Sequence, residues 1–279
     1  MYNLFPDNEV NCNRIQIPRR DGKNMPALLV SPKKKTLNAP GILWIHGGGY
    51  VTGMKEMVHM SRAVDLVKKY GATVLSPGYR LSFVKPYPAA VEDCYDALLY
   101  LKNHAGKFDI NKNQLMVGGE SAGGGLCAAL CMIARDKGEV QVAYQMPLYP
   151  MLDNLDTKTS ANNHGKVWNT RRNHIAWRLY LRKNAKKVVS PYAAPARQTD
   201  YSNLPPAYTF VGNGEPFYSE TCTYIENLQK AGIDAQMDVY ESDMHAFDML
   251  KPELQVSKEA AAKFNLHFEH ALKHYFAEN

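Results

Sequence analysis

Residues 117–124 read Val-Gly-Gly-Glu-Ser-Ala-Gly-Gly, a Gly-x-Ser-x-Gly pentapeptide running from Gly119 to Gly123. It stands between a short apolar run, Gln114 to Val117, and a stretch rich in Ala, Leu, Cys and Met, Leu126 to Ala134. The first run predicts a buried strand and the second a buried helix. A chain that passes from strand to helix in so few residues brings two backbones almost into contact, and only glycine leaves room on either side. The serine between them is then held in a strained conformation, its hydroxyl exposed and a helix N-terminus beneath it. One octapeptide thus constrains both the architecture, which must supply a strand turning directly into a helix, and the chemistry, which centres on Ser121.

The rest of the chain supplies that architecture. Arg14–Pro18 and Pro26–Val30 predict strands joined by a hairpin turn at Arg20-Asp21-Gly22-Lys23. Gly41–Ile45 reads as a fully buried strand and runs into His46-Gly47-Gly48-Gly49-Tyr50. The apolar spacing predicts a helix over 56–70, stopped by Gly71, a strand over 72–76, and a helix over 87–103 with Pro88 near its start. After the Ser121 stretch come a strand over 142–148, a strand over 207–212, a helix over 218–231, a strand over 236–240 and a long helix over 253–276. Strands alternating with helices imply a mostly parallel sheet covered on both faces, with the opening hairpin adding antiparallel strands at one edge. Residues 151–190 break the rhythm. They are polar and loop-like, with one helix from about 169 to 181 that places Ile175 and Leu179 on one side, and they read as an insertion over the sheet's C-terminal edge.

Composition narrows the class. A chain of 279 residues with 45% hydrophobic and 22% charged residues suits a soluble globular enzyme and can bury a substantial core. No apolar run is long enough to span a membrane. The opening Met1-Tyr2-Asn3-Leu4-Phe5-Pro6-Asp7 has neither the basic nor the apolar part of a signal peptide. Five scattered cysteines fit reduced thiols, so a cytoplasmic location is expected. Cys127 and Cys131 lie one helical turn apart, but no second ligand pair accompanies them and no metal is expected. His267, His270 and His274 share a helical face, for which a solvated surface is the ordinary explanation. The net charge of +6 is uneven: between Asp156 and Asp200 there are ten basic residues and no acidic one. Such an interval is either a solvated surface or a field that steers anionic esters or acidic surfaces towards the site.

A serine hydroxyl needs a base, and the base needs a group to orient it. On a sheet of this kind the acid and then the histidine follow the serine in chain order. His245 lies just past a strand, at the same edge as Ser121, whereas His267, His270 and His274 lie inside the last helix. The acid is expected at the end of the preceding strand, where Val211-Gly212-Asn213-Gly214-Glu215-Pro216 offers Glu215. Asp243 and Glu220 compete with it. An oxyanion would be met by backbone N–H groups of Gly48, Gly49 and Ala122. The glycine loop could instead cradle phosphate. The chain has no Gly-x-x-x-x-Gly-Lys-Ser/Thr and no dinucleotide fingerprint, so no nucleotide cofactor and no nucleic acid is expected.

Taken together, His46-Gly47-Gly48-Gly49 and Gly119-Glu120-Ser121-Ala122-Gly123-Gly124 resemble the two signatures of the α/β-hydrolase fold-3 group, the bacterial hormone-sensitive-lipase-like esterases. Tyr79-Arg80-Leu81, Tyr87 to Asp93, Ser190 to Arg197 and Leu204-Pro205-Pro206-Ala207 match that group in type and order, and the resemblance runs from about residue 25 to the end. It implies an α/β-hydrolase fold: a mostly parallel central sheet with helices on both faces and a small helical cap insertion. It also implies hydrolysis of small-molecule carboxylic esters with short or medium acyl chains through Ser121, His245 and Glu215, without a cofactor. The chain departs from the group at Gly78, where aspartate is usual, and at Ala246, where glycine is common. Its N-terminal segment, 1–13, is also short. A single domain over 1–279 with a reduced cap at about 151–190 follows, and so does an open site that a second copy of the chain could cover as a homodimer. An amidase or deacylase using the same triad remains an alternative. So does a ligand-binding homologue without catalysis.

Overall fold

The computed structural model describes residues 9–34 and 36–279. Among the described residues eight strands form one sheet: β1 Val10–Pro18, β2 Asn24–Pro32, β3 Ala39–Ile45, β4 Thr73–Pro77, β5 Ile110–Glu120, β6 Tyr144–Leu148, β7 Ala207–Gly212 and β8 Ala235–Tyr240. Their order across the sheet is β1-β2-β4-β3-β5-β6-β7-β8. β1 and β2 join as an antiparallel edge, and every pair from β4 onward is parallel. The parallel strands therefore end along one edge. At that edge the glycine loop leaves β3, Ser121 leaves β5, Glu215 follows β7 and His245 follows β8.

Helices α1 Arg62–Tyr70, α2 Ala89–Asn103, α3 Ala122–Lys137, α4 Thr170–Leu181, α5 Tyr218–Lys230, α6 Phe247–Leu250 and α7 Gln255–His274 complete the chain. Two cores form, one on each face of the sheet. Leu98 of α2, Leu126 of α3 and Tyr224 of α5 belong to one, with Leu43 and Val117 from the strands. Leu66 of α1 and Phe264 and Phe268 of α7 belong to the other, with Trp44 and Phe210. Strands buried on both faces have no polar side, which is why they read as continuous apolar runs. Among the described residues no helix is long and apolar enough to cross a membrane.

The structure corrects several expectations. The first strand starts at Val10, so the segment expected over 1–13 is partly sheet; its residues 1–8, with the signal-peptide reading at Met1 to Asp7, lie outside the described residues. The helix expected over 56–70 is broken at Ser61. A 3₁₀ turn, Lys55–Met60, precedes it, and the Ser61 hydroxyl then caps α1 by accepting the Ala63 N–H at 3.1 Å. β5 runs back to Ile110 through polar Asn111, Lys112 and Asn113, because its backbone pairs with β3 across a register shift. In α4 the side that Ile175 and Leu179 share is not the buried one. Asn173, Ala176, Trp177 and Tyr180 are buried instead, and Ile175 is exposed. Tyr180 stacks on Tyr50 at 4.1 Å between ring centroids and Trp177 lies 5.5 Å away, so aromatic packing decides which side turns in.

Candidate active site

Ser121 has φ 58° and ψ −118°, in the left-handed region that disfavours any side chain. Its neighbours leave no alternative. A Cβ on Gly119 would stand 2.5 Å from the Ile45 carbonyl oxygen, and one on Gly123 would stand 2.7 Å from that of His46. The turn is pinned by Ser121 N–H donating to Leu148 O at 3.0 Å, and by Gly125 and Met151 N–H groups donating to Ser121 O at 3.0 and 2.9 Å.

The Ser121 hydroxyl donates to His245 Nε2 at 2.9 Å, and His245 Nδ1–H donates to Glu215 Oε2. Because a carboxylate can only accept, the proton is assigned to Nδ1, and Nε2 is left to accept from the serine. Glu215 is wholly buried, and its second oxygen accepts the Gly212 N–H at 3.3 Å. The structure thus brings together the three side chains expected from sequence. The rival acids lie elsewhere. Glu220 accepts the backbone N–H groups of Leu152 and Asp153 at 2.6 and 3.1 Å, and burial pushes its carboxyl well up. Among the described residues, Asp243 makes no hydrogen bond to His245.

The glycine loop folds back on itself. Val51 and Thr52 N–H groups both donate to Gly48 O, at 3.0 and 2.9 Å, while Gly48 and Gly49 have φ 111° and 60°. A Cβ on Gly47 would lie 3.0 Å from Glu120 O and 3.3 Å from the Ser121 Cβ, so the loop rests directly against the turn that carries the serine. Ala122 is the first residue of α3, where an N–H has no partner within the helix. His46 anchors the start of the loop. It stacks on Tyr79 at 4.2 Å, its Nδ1–H donates to Gly47 O at 2.8 Å, and burial lowers its pKa to about 4, which keeps the ring neutral. Tyr79 in turn donates to His46 O at 3.0 Å, and Arg80 grips Asp93 with Nε and Nη2 at 2.8 and 2.7 Å. At the two departures from the resembling group, Gly78 sits where a Cβ would come within 2.8 Å of Pro26 O, and Ala246 occupies the left-handed region with φ 57°.

Sequence reasoning missed the aromatic and acidic surroundings. Tyr149 and Phe217 meet the His245 ring edge-on at 5.2 and 5.1 Å and are fully buried. Trp168, only half-buried, lies 6.4 Å from the same ring and presses its benzo edge on Gly49. A tryptophan in the polar loop before α4 was the available signal. Beneath the serine, Glu120 accepts the Trp44 Nε1–H at 2.7 Å, and burial raises its pKa to about 8. Asp248 accepts the Tyr149 hydroxyl at 2.8 Å and faces Arg62 Nε at 3.3 Å; burial raises its carboxyl also. Among the described residues no cluster of His, Cys, Asp and Glu is disposed to hold a metal ion.

Residues 42–249 match the family model described as alpha/beta hydrolase fold. The chain is 32% identical to a bacterial heroin esterase whose structure superposes with a TM-score of 0.88, covering 94% of this chain and 84% of that one. An esterase from Pyrobaculum calidifontis is 31% identical, with a TM-score of 0.83 and coverage of 93% and 84%. An arylesterase from Saccharolobus solfataricus is 27% identical over 245 residues, 87% of this chain and 79% of that protein.

Proposed function

The chain belongs to the α/β-hydrolase fold-3 family, and from that premise we propose that it is a serine carboxylesterase acting on short- to medium-chain acyl esters. The observation that carries the reading is the chain of hydrogen bonds from Ser121 through His245 to buried Glu215, beside a glycine loop with left-handed backbone. The relatives named above, each an esterase by name, agree with it.

In this mechanism Ser121 Oγ attacks the ester carbonyl carbon as its proton passes to His245 Nε2. Glu215 holds the imidazole in the required tautomer and stabilises the imidazolium. The N–H groups of Gly48, Gly49 and Ala122 receive the negative charge that develops on the carbonyl oxygen, and loss of one such donor typically costs about 10²–10³ in kcat. The tetrahedral intermediate collapses, the alcohol leaves with the proton from Nε2, and the acyl group stays on Ser121. Water then attacks the acyl-enzyme by the same route and frees the acid. Residues 151–190 act as a reduced cap, with Trp168 closing the space above Gly49 and His245. The decisive test is covalent labelling by a fluorophosphonate probe together with hydrolysis of nitrophenyl esters of increasing acyl length. Labelling at Ser121 and turnover, both lost in Ser121→Ala, are expected. Persistent turnover in Ser121→Ala would overturn the assignment, and matched anilides would show whether amides are cleaved as well.

A further inference from the structure

The basic residues of 157–199 divide by what they touch. Arg172 donates to the Lys166 and Val167 carbonyls, Arg182 to the Ser82 and Phe83 carbonyls at 3.1 and 2.9 Å, and Arg197 pairs with Asp153 at 2.6 Å. Those three arginines hold the fold together. Arg171 and Arg178 have no carboxylate or carbonyl partner among the described residues. With His174 they stand at i, i+3 and i+7, on one face of α4. That face is roughly opposite the buried one of Asn173, Ala176, Trp177 and Tyr180, so the unpartnered charge is turned away from Tyr50 and the glycine loop.

The same face lines a cavity of about 890 Å³, whose other wall is the segment 161–164 with Asn162 and His164. Among the described residues no carboxylate lines it. Asp156 stands beside it, bonded to His174 Nε2 at 2.7 Å. The walls are tied to each other and to the body. Asn163 N–H donates to Thr170 Oγ1 at 2.8 Å, Thr170 N–H donates to Asn163 O at 3.2 Å, and Asn163 Nδ2 donates to Gly214 O at 3.2 Å. Two arginines, the His164 imidazole, the Asp156-bound His174, three asparagines and the first turn of a helix therefore line one open concavity. Guanidinium forks match carboxylate and phosphate oxygens two at a time, the helix start adds partial positive charge, and the volume suits a small ligand.

We propose that this cavity is a binding site for a small multivalent oxyanion, a tricarboxylate or a phosphate compound, on the outer face of the cap and separate from Ser121. The proposal does not depend on what Ser121 does. Titration calorimetry on the full chain at low ionic strength tests it, with citrate and inorganic pyrophosphate as the probes. The variants are Arg171→Gln with Arg178→Gln and, as a control that removes the same charge, Lys186→Gln with Lys187→Gln on the exposed turn after α4. Neither arginine has a carboxylate or carbonyl partner to lose among the described residues, so the variants should fold, as Tm will report. One saturable site per chain is expected for at least one probe, weakened about tenfold or more by the arginine pair and less than about twofold by the lysine pair. Absence of saturation by about 10 mM for both probes, or equal weakening by the two pairs, would overturn the proposal in favour of a diffuse field.

Discussion

Alanine substitutions at Gly49 and Trp168, made singly and together, test whether the cap rests on the glycine loop that the proposed mechanism needs. Gly49 has φ 60°, so an alanine there takes left-handed backbone at about 1–2 kcal/mol. Its Cβ would also overlap the benzo edge of Trp168 at Cη2, 2.9 Å from Cζ2 and 3.2 Å from Cζ3. To make room the ring must swing away and break the bond from Nε1 to Asn173 Oδ1, now 3.3 Å, at about 1 kcal/mol. If the loop must keep its present shape in the reacting complex, the two effects lower kcat/KM by roughly 30- to 160-fold. Removing the ring relieves only the second. The double variant should therefore be about fivefold more active than the two single effects predict together. The readouts are kcat/KM on a short-chain nitrophenyl ester and the rate of fluorophosphonate labelling at Ser121, which depends less on substrate fit. Gly48 is the control. A Cβ there meets the Thr52 backbone, 2.6 Å from its carbonyl carbon, at φ 111°, and no change at Trp168 can relieve that. Strict additivity at Gly49, or the same rescue at Gly48, would refute the idea that the indole presses on the loop.

Glu215→Gln should keep the fold but favour the wrong imidazole tautomer, lowering kcat on the order of 10⁴-fold in steady-state assays; a loss under about tenfold would mean another group orients His245. Ala246→Gly should relieve left-handed strain faster than it adds unfolded-state entropy, for a gain of about 0.5–1 kcal/mol in denaturant titration; a lower midpoint would contradict this. Glu120 has a folded pKa of about 8, above its unfolded value, so the stability it confers is complete at acid pH and is lost as pH rises through about 8. Glu120→Gln, which keeps an acceptor for Trp44, should therefore lose less Tm than the parent protein between mildly acid and mildly alkaline pH, and parallel curves would sink the point.

Where the sequence was legible, one physical constraint acted within a short window. Gly119 and Gly123 flank the serine because Ile45 and His46 carbonyls stand against them, and the strand-turn-helix pattern could be read from that alone. Glu215 and His245 were placed by chain order and by their position just after strands, and the sheet order brings those strand ends to one edge. What sequence did not reveal depends on contacts distant in the chain. Ser61 splits a helix because its hydroxyl caps the second half. The strand at Ile110 is polar outside its apolar run, and only its partner β3 defines it. Trp168 touches Gly49 across more than a hundred residues, and no periodicity records such a contact.

The basic interval between Asp156 and Asp200 shows how a compositional observation can leave its direction undecided until the fold is known. Ten positive residues in one interval left two readings open, a solvated surface or a field over the site, and the helix through them placed Ile175 and Leu179 together on one side. Tyr50 decides. It follows the glycine loop directly, is buried, and donates its hydroxyl to Met151 O at 2.9 Å, a contact outside α4 that holds the ring in place. The side of α4 that covers a fixed aromatic ring with the most contact is the one with Trp177 and Tyr180, and turning that side in turns Arg171 and Arg178 out. A field aimed at Ser121 would have required those two arginines on the Tyr50 side. With the charge on the outer face, an anionic ester gains little from it on the way to the serine, and kcat/KM for anionic and neutral esters should respond alike to added salt. A steeper fall for the anionic ester would return the cap's charge to the service of the site.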